Sequence, residues 1–143
     1  MGYSEIITNI TLEAGQDLST KQYKFMTLAS DGQIDPTAAA GGKAIGVLQN
    51  KPNAAGKAAT VTVFGVSKMV AGGNVSAGAL IKSDANGNAV TATAATVDTS
   101  DAGAASDPVV GSFVMGYALE SAQENDIFAA FIFPMGAVPT TAA

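Results

Sequence analysis

Cysteine, histidine and arginine are absent from this chain of 143 residues, and each absence removes a class of chemistry. No disulfide, thiolate nucleophile or sulfur-ligated zinc site is available. The commonest general base and the commonest transition-metal ligand go with histidine. All seven cations are lysine and the formal net charge is −5, whereas phosphate recognition relies on guanidinium forks and basic patches. Nucleic acid is therefore not an expected partner. Aromatic residues make up 6% of the chain, and much of its 48% hydrophobic content is alanine. A core of such small side chains is thin, so part of the stability is expected from neighbouring subunits. No apolar run approaches the ~18 residues of a membrane helix, and Met1 to Ile10 carry neither the basic flank nor the apolar centre of a signal peptide. The expectation is a protein with no membrane partner that stays in the compartment of its synthesis.

What the chain does have is strand pattern punctuated by glycine. Lys43 to Gly65 reads KAIGVLQNKPNAAGKAATVTVFG: a short apolar run, a Pro/Asn/Gly-rich connection from Asn50 to Gly56, and the β-branched return Ala59 to Phe64. That is the grammar of a hairpin. It recurs at Val114 to Gly136, with the connection Glu120 to Asp126. Upstream, Ala14-Gly15-Gln16-Asp17-Leu18-Ser19 is echoed by Ala71-Gly72-Gly73-Asn74-Val75-Ser76 at an offset of 57, Asp31-Gly32 by Asn86-Gly87 at 55, and Gly46 by Gly116 at 70. Order is kept while spacing changes, which predicts two imperfect repeats, about 13–65 and 66–136. The extra length falls in an Ala/Thr/Asp-rich stretch, expected to be an inserted surface loop over 91–107.

In chain order, residues 1–12 alternate weakly and are expected to form an N-terminal arm or edge strand. Tyr23 to Ala29 reads as a strand with both faces partly covered, and Asp31-Gly32 as a tight turn. Val66 to Val70 extends the first hairpin and links the repeats, and Phe128 to Phe133 closes the sheet. Residues 137–143 are expected to be a loosely held tail. No window of ten residues sustains a helical apolar stripe; the nearest, Ala118 to Phe128, allows one short turn. The fold class is therefore all-β, a small barrel or sandwich of tulip-like form with at most one or two short helices, in a single domain over 13–136. Gly32, Gly46, Gly56, Gly65, Gly87 and Gly116 are expected to be turn glycines.

Candidate chemistry is sparse. Ser67 and Lys68 are adjacent, so on a strand they face opposite ways and form no nucleophile–base pair. Asp98, Asp101 and Asp107 carry oxygen ligands for a hard cation, but solvated acids keeping a small-residue loop out of the core is the better reading. Asp84 to Asn88 is a residue short of a calcium-loop order and lacks the distal Glu, so it reads as a turn. Gly42-Lys43 and Gly56-Lys57 lack the flanking residues of a phosphate cradle. Phe128, Phe131 and Phe133 are expected to pack in the β core rather than line a ligand cavity. No catalytic, cofactor-binding or metal-ligating residue is expected, no cofactor, and no enzymatic activity.

Ala44-Ile45-Gly46-Val47-Leu48 followed by Gly56 and Ala59 to Val63, the link Gly65 to Gly73, Val75 to Gly78, Leu80 to Gly87, and Met115-Gly116-Tyr117-Ala118-Leu119 together resemble the capsid decoration, or cement, proteins of tailed bacteriophages. The resemblance runs from about Leu12 to Gly136. It implies a β-barrel-like or sandwich fold, homotrimers at three-fold or quasi-three-fold positions of the capsid, the major capsid protein as partner, a place on the capsid exterior after synthesis in a bacterial cytoplasm, and no enzymatic role. Avidity from several weak contacts and linkage to the assembled lattice then stabilise the shell. Within that reading the arm, through Tyr3, Ile6, Ile7 and Ile10, is expected to contact the capsid, either adding to a strand edge or ordering on docking, and the 91–107 loop to face outward. The alternatives are a phage fibre or spike base or a bacterial surface-layer adhesive module. A small-molecule-binding barrel needs a lined cavity, which this small-residue composition disfavours.

Overall fold

The chain folds, in a computed structural model that describes residues 2–3, 5–92, 96–97, 113–137 and 141–142, as one curled antiparallel sheet forming a half-barrel, with no helix among those residues. The β-branched run after Lys57 becomes its longest strand, β5 (Ala58–Val70). Around it lie β1 (Glu5–Glu13), β2 (Phe25–Leu28), β3 (Ile34–Pro36), β4 (Gly46–Leu48), β6 (Leu80–Ser83), β7 (Ala89–Thr91), β9 (Phe113–Ala118) and β10 (Ile127–Ala137). The hydrogen-bonded order is β3-β2-β4-β5-β10-β9-β6-β7, and β1 is added to β5 off this path. Read from either edge, a hairpin of short strands leads through one more strand to a long central one. The two long strands run antiparallel, Val70 opposite Ile127 and Gly65 opposite Ile132.

The two sides of that seam share detailed hydrogen bonding. Ala14 and Ile34 form an isolated parallel bridge, and so do Ala71 and Ala89. The Gly15 N–H donates to the Ile34 carbonyl (2.8 Å) as Gly72 does to Ala89 (2.9 Å). The Gly56 N–H donates to the Ala14 carbonyl and the Asn125 N–H to that of Ala71, both at 2.8 Å. Both donors adopt positive φ, 82° and 70°. Asn50 Oδ1 accepts from the Thr60 N–H and Glu120 Oε2 from the Ala129 N–H, each at 2.9 Å. Buried donors and acceptors need partners, and here an amide and a carboxylate meet the same need in equivalent turns. A boundary drawn at residues 65/66 falls inside β5, which is continuous across it.

The core has two parts. One gathers Phe25, Val47, Met69, Ile81, Met115, Phe128 and Ile132; the other gathers Leu18, Met26, Ile34, Leu48, Ala59 and Val61. Phe25 and Met26 are both fully buried, so the two faces of β2 feed the two clusters. The strand starts at Phe25 rather than Tyr23, because Tyr23 sits at φ 63°. Its N–H turns to the Leu48 carbonyl (2.8 Å). No helical turn forms after Ala118; Ala122 instead bridges Val75. Within the expected tail, β11 (Thr141–Ala142) pairs in parallel with β8 (Thr96–Val97), and residues 138–140 and 143 lie outside the described residues. The rest of the expected 91–107 loop, beyond Ala92 and apart from β8, lies outside the described residues.

Three of the six expected turn glycines are in turns: Gly32, Gly56 and Gly87, at φ 84°, 82° and 80°. Gly46, Gly65 and Gly116 instead lie inside β4, β5 and β9. At two of these the reason is strand approach. A Cβ on Gly46 would run into the carbonyl oxygen of Thr62, and one on Gly116 into that of Phe131. Asp84 fixes the β6–β7 turn, its Oδ1 accepting from the backbone N–H groups of Asn86 (2.8 Å) and Asn88 (2.9 Å).

Gly46→Ala and Gly116→Ala should each lower the unfolding free energy by about 3 kcal/mol, the upper end of overpacking costs. At Gly32 the space is open and only the left-handed φ is at stake, so Gly32→Ala should cost about 1 kcal/mol. Urea melts of the three variants test the ranking, and equal stabilities would contradict it. Asp84→Ala should cost about 1–2 kcal/mol through its unmade backbone bonds, and millimolar calcium should leave the wild-type melting temperature unchanged, because that carboxylate is committed to the turn.

Candidate functional site

Side chains alternate across a strand, and on β10 this separates two apolar sets. Phe128, Ala130 and Ile132 are buried. Phe131 and Phe133 point the other way, correcting the expectation that all three phenylalanines pack in the core; Phe133 is 45% exposed. Pairing carries this outward row across the sheet: Val66 opposite Phe131, Phe131 opposite Tyr117, Tyr117 opposite Leu80. The adjoining row, Gly65, Ile132, Gly116 and Ile81, faces the core.

Four rings gather on the outer face. Tyr117 stacks on Phe131 with centroids 5.4 Å apart and planes 17° apart, while Phe64 meets Phe131 edge-on at 5.3 Å and Phe133 at 5.5 Å. Such edge and offset contacts add about 0.5–1.5 kcal/mol each beyond burial. The rings brace one another, yet one side of the cluster is open to solvent. Leu80 beside them is 44% exposed. On the same face of β5, the Lys68 ammonium lies 5.8 Å from the centre of the Tyr23 ring. The signal for this face was present in the sequence as the parity of Phe128, Phe131 and Phe133.

Of the two forms expected for residues 1–12, arm or edge strand, the structure has a strand over Glu5–Glu13. β1 pairs with β5 from Glu5 opposite Val66 to Glu13 opposite Ala58, with irregular register around Thr8. The Thr62 hydroxyl donates to Asn9 Oδ1 at 2.8 Å, a further tie. Ile6 and Ile7 belong to this strand; Ile10 is 38% exposed and Tyr3, ahead of it, 46%. Neighbouring strands in sequence supply no partner for this segment. β5 does, some 50 residues away, which is why a reading of local pattern left it unpaired. Among the described residues β1 has no second strand partner.

An open groove lies where β1 ends, lined by Thr11, Leu12, Glu13, Asp31, Gln33 and Ala58. Gln33 Nε2 donates to Glu13 Oε2 there at 3.4 Å, so its polar groups serve each other. Among the described residues no three acids or other metal-ligating side chains come together; Asp98, Asp101 and Asp107 lie outside them. Ser67 Oγ accepts from Gln49 Nε2 (2.7 Å) and donates to the Lys68 carbonyl, which leaves the hydroxyl in structural use. The Asp17 carboxyl is held below the usual carboxylate range by hydrogen bonds from the Ser19 side chain and backbone. Burial lowers the Lys24 ammonium below the usual lysine range, Lys21 adds to this, and Asp84 opposes it.

No family model matches the chain, and no curated protein does. Among solved structures, the fold is shared with the N base of head fiber gp8.5 of bacteriophage phi29, with a TM-score of 0.57 and 21% sequence identity over 88% of this chain and 93% of that one.

Proposed function

We propose that the chain is a structural protein of a tailed-phage virion, seated on the exterior of the head as a homotrimer, with the major capsid protein as its partner and no catalytic role. The observation that carries the reading is the shared fold with a phage head-fibre base over nearly the whole of both chains. The glycine-punctuated hairpins that resemble cement proteins support the same location. Between the two roles on a head, the likeness to a fibre base favours a platform that attaches to the shell, and shell stabilisation follows from attachment by linkage.

Attachment proceeds through β1 in this reading. Among the described residues its outer edge has no strand partner, and strand addition uses such an edge for affinity. Ile10 on the strand and Tyr3 just ahead of it are exposed. Because β1 is paired with β5, it docks as a preformed edge and loses little conformational entropy on binding, whereas a free arm must first order.

Purified protein mixed with mature heads that lack it should pellet saturably with them and far less with immature heads. Ile10→Asp, an exposed change, should weaken pelleting tenfold or more while leaving the circular dichroism spectrum intact. Failure to pellet with either kind of head, or equal pelleting with both, would overturn the reading.

A further inference from the structure

The outer aromatic face is an exposed sheet surface of the kind that sheet-on-sheet packing covers in sandwiches. Its occupant is legible in the charges. Up to Lys82 the chain holds all its lysines, and beyond Lys82 every charged side chain is acidic. The segregation falls on two equivalent turns. The connection between β4 and β5, residues 49–57, carries Lys51 and Lys57 and no acid; the connection between β9 and β10, residues 119–126, carries Glu120, Glu124 and Asp126 and no lysine. Lys51, Lys57, Glu124 and Asp126 are all exposed.

These turns sit far apart within one molecule. The acidic turn leads into Ile127, which pairs with Val70, while the basic turn leads into Ala58 at the other end of the 13-residue β5. A straight strand of that length spans roughly 40 Å at ~3.3 Å per residue, several Debye lengths at physiological salt. Within the chain the opposite charges therefore do nothing for each other. Between copies they meet when the copies are set head to tail around a common axis, so that the basic end of one reaches the acidic end of the next.

We infer that the face bearing Phe64, Val66, Leu80, Tyr117, Phe131 and Phe133 packs against a second copy of this chain, with the basic 49–57 turn of one copy beside the acidic 119–126 turn of the next. The rings supply the buried centre and the charged turns the rim that sets orientation, the usual division of labour in an interface. This deepens the homotrimer part of the reading above by naming its surface. The test uses no heads, so its failure and the failure of head attachment are separate results.

Sedimentation equilibrium of the full chain at micromolar concentration should give a mass three times the 14.2 kDa of one chain. The double variant Phe133→Glu/Leu80→Glu changes two exposed side chains and should sediment as a monomer with an unchanged circular dichroism spectrum. Lys51→Glu/Lys57→Glu should weaken association tenfold or more at low salt, and adding Glu124→Lys should recover part of it, which a merely local effect on either turn would not allow. A monomeric wild type overturns the inference. Self-association untouched by Phe133→Glu/Leu80→Glu also overturns it.

Discussion

The antiparallel ladder from Val70 and Ile127 to Gly65 and Ile132 makes one sheet of two similarly wired halves. It works only if the strands flanking it come close. On one side β4 presses Gly46 against the Thr62 carbonyl; on the other, β9 presses Gly116 against that of Phe131. Any Cβ at those points would push the flanking strand off its neighbour and open the core behind it. β5 is also the strand onto which β1 is added, so displacement there would spread to the N-terminal edge. A chain with so little aromatic and so much alanine content has small side chains to bury, and close backbone approach leaves less space for them to fill.

The all-β class was legible because β-branched and aromatic runs bounded by glycine and asparagine have few other solutions. Both long hairpins appear where Ala59 to Phe64 and Phe128 to Phe133 marked their return strands. What could not be read was anything that depends on a distant neighbour. The role of Gly46 and Gly116 depends on which carbonyl lies opposite, so a local reading put them in turns. β1 had no partner in sight because its partner follows it by some 50 residues. Tyr23 looked like strand by side-chain type, while its backbone turns to reach Leu48. The outward turn of Phe131 and Phe133 was within reach: their parity with Phe128 placed them on the opposite face, and only composition argued for a common core.

The surfaces divide the work. The core rows, with Ile81 and Ile132 fully buried, hold the sheet; the rows one residue over carry rings that pack on each other and still present an apolar side to water. Elsewhere the polar groups are turned to local use: Asn50, Asp84 and Glu120 satisfy backbone donors in turns, and Ser67 lies between Gln49 and the Lys68 carbonyl. In the role proposed above, specificity rests on the shape and charge of these faces.

One feature of β1 bears on how such a protein avoids polymerising. The strand begins at Glu5 and finishes at Glu13. Two copies joined edge to edge, antiparallel and in register, would set Glu5 of each opposite Glu13 of the other, and like-charged residues at opposed positions are destabilising. Acidic residues at both ends of a strand thus disfavour its in-register pairing with a second copy, the same device by which other sheets guard their edges against fibril growth.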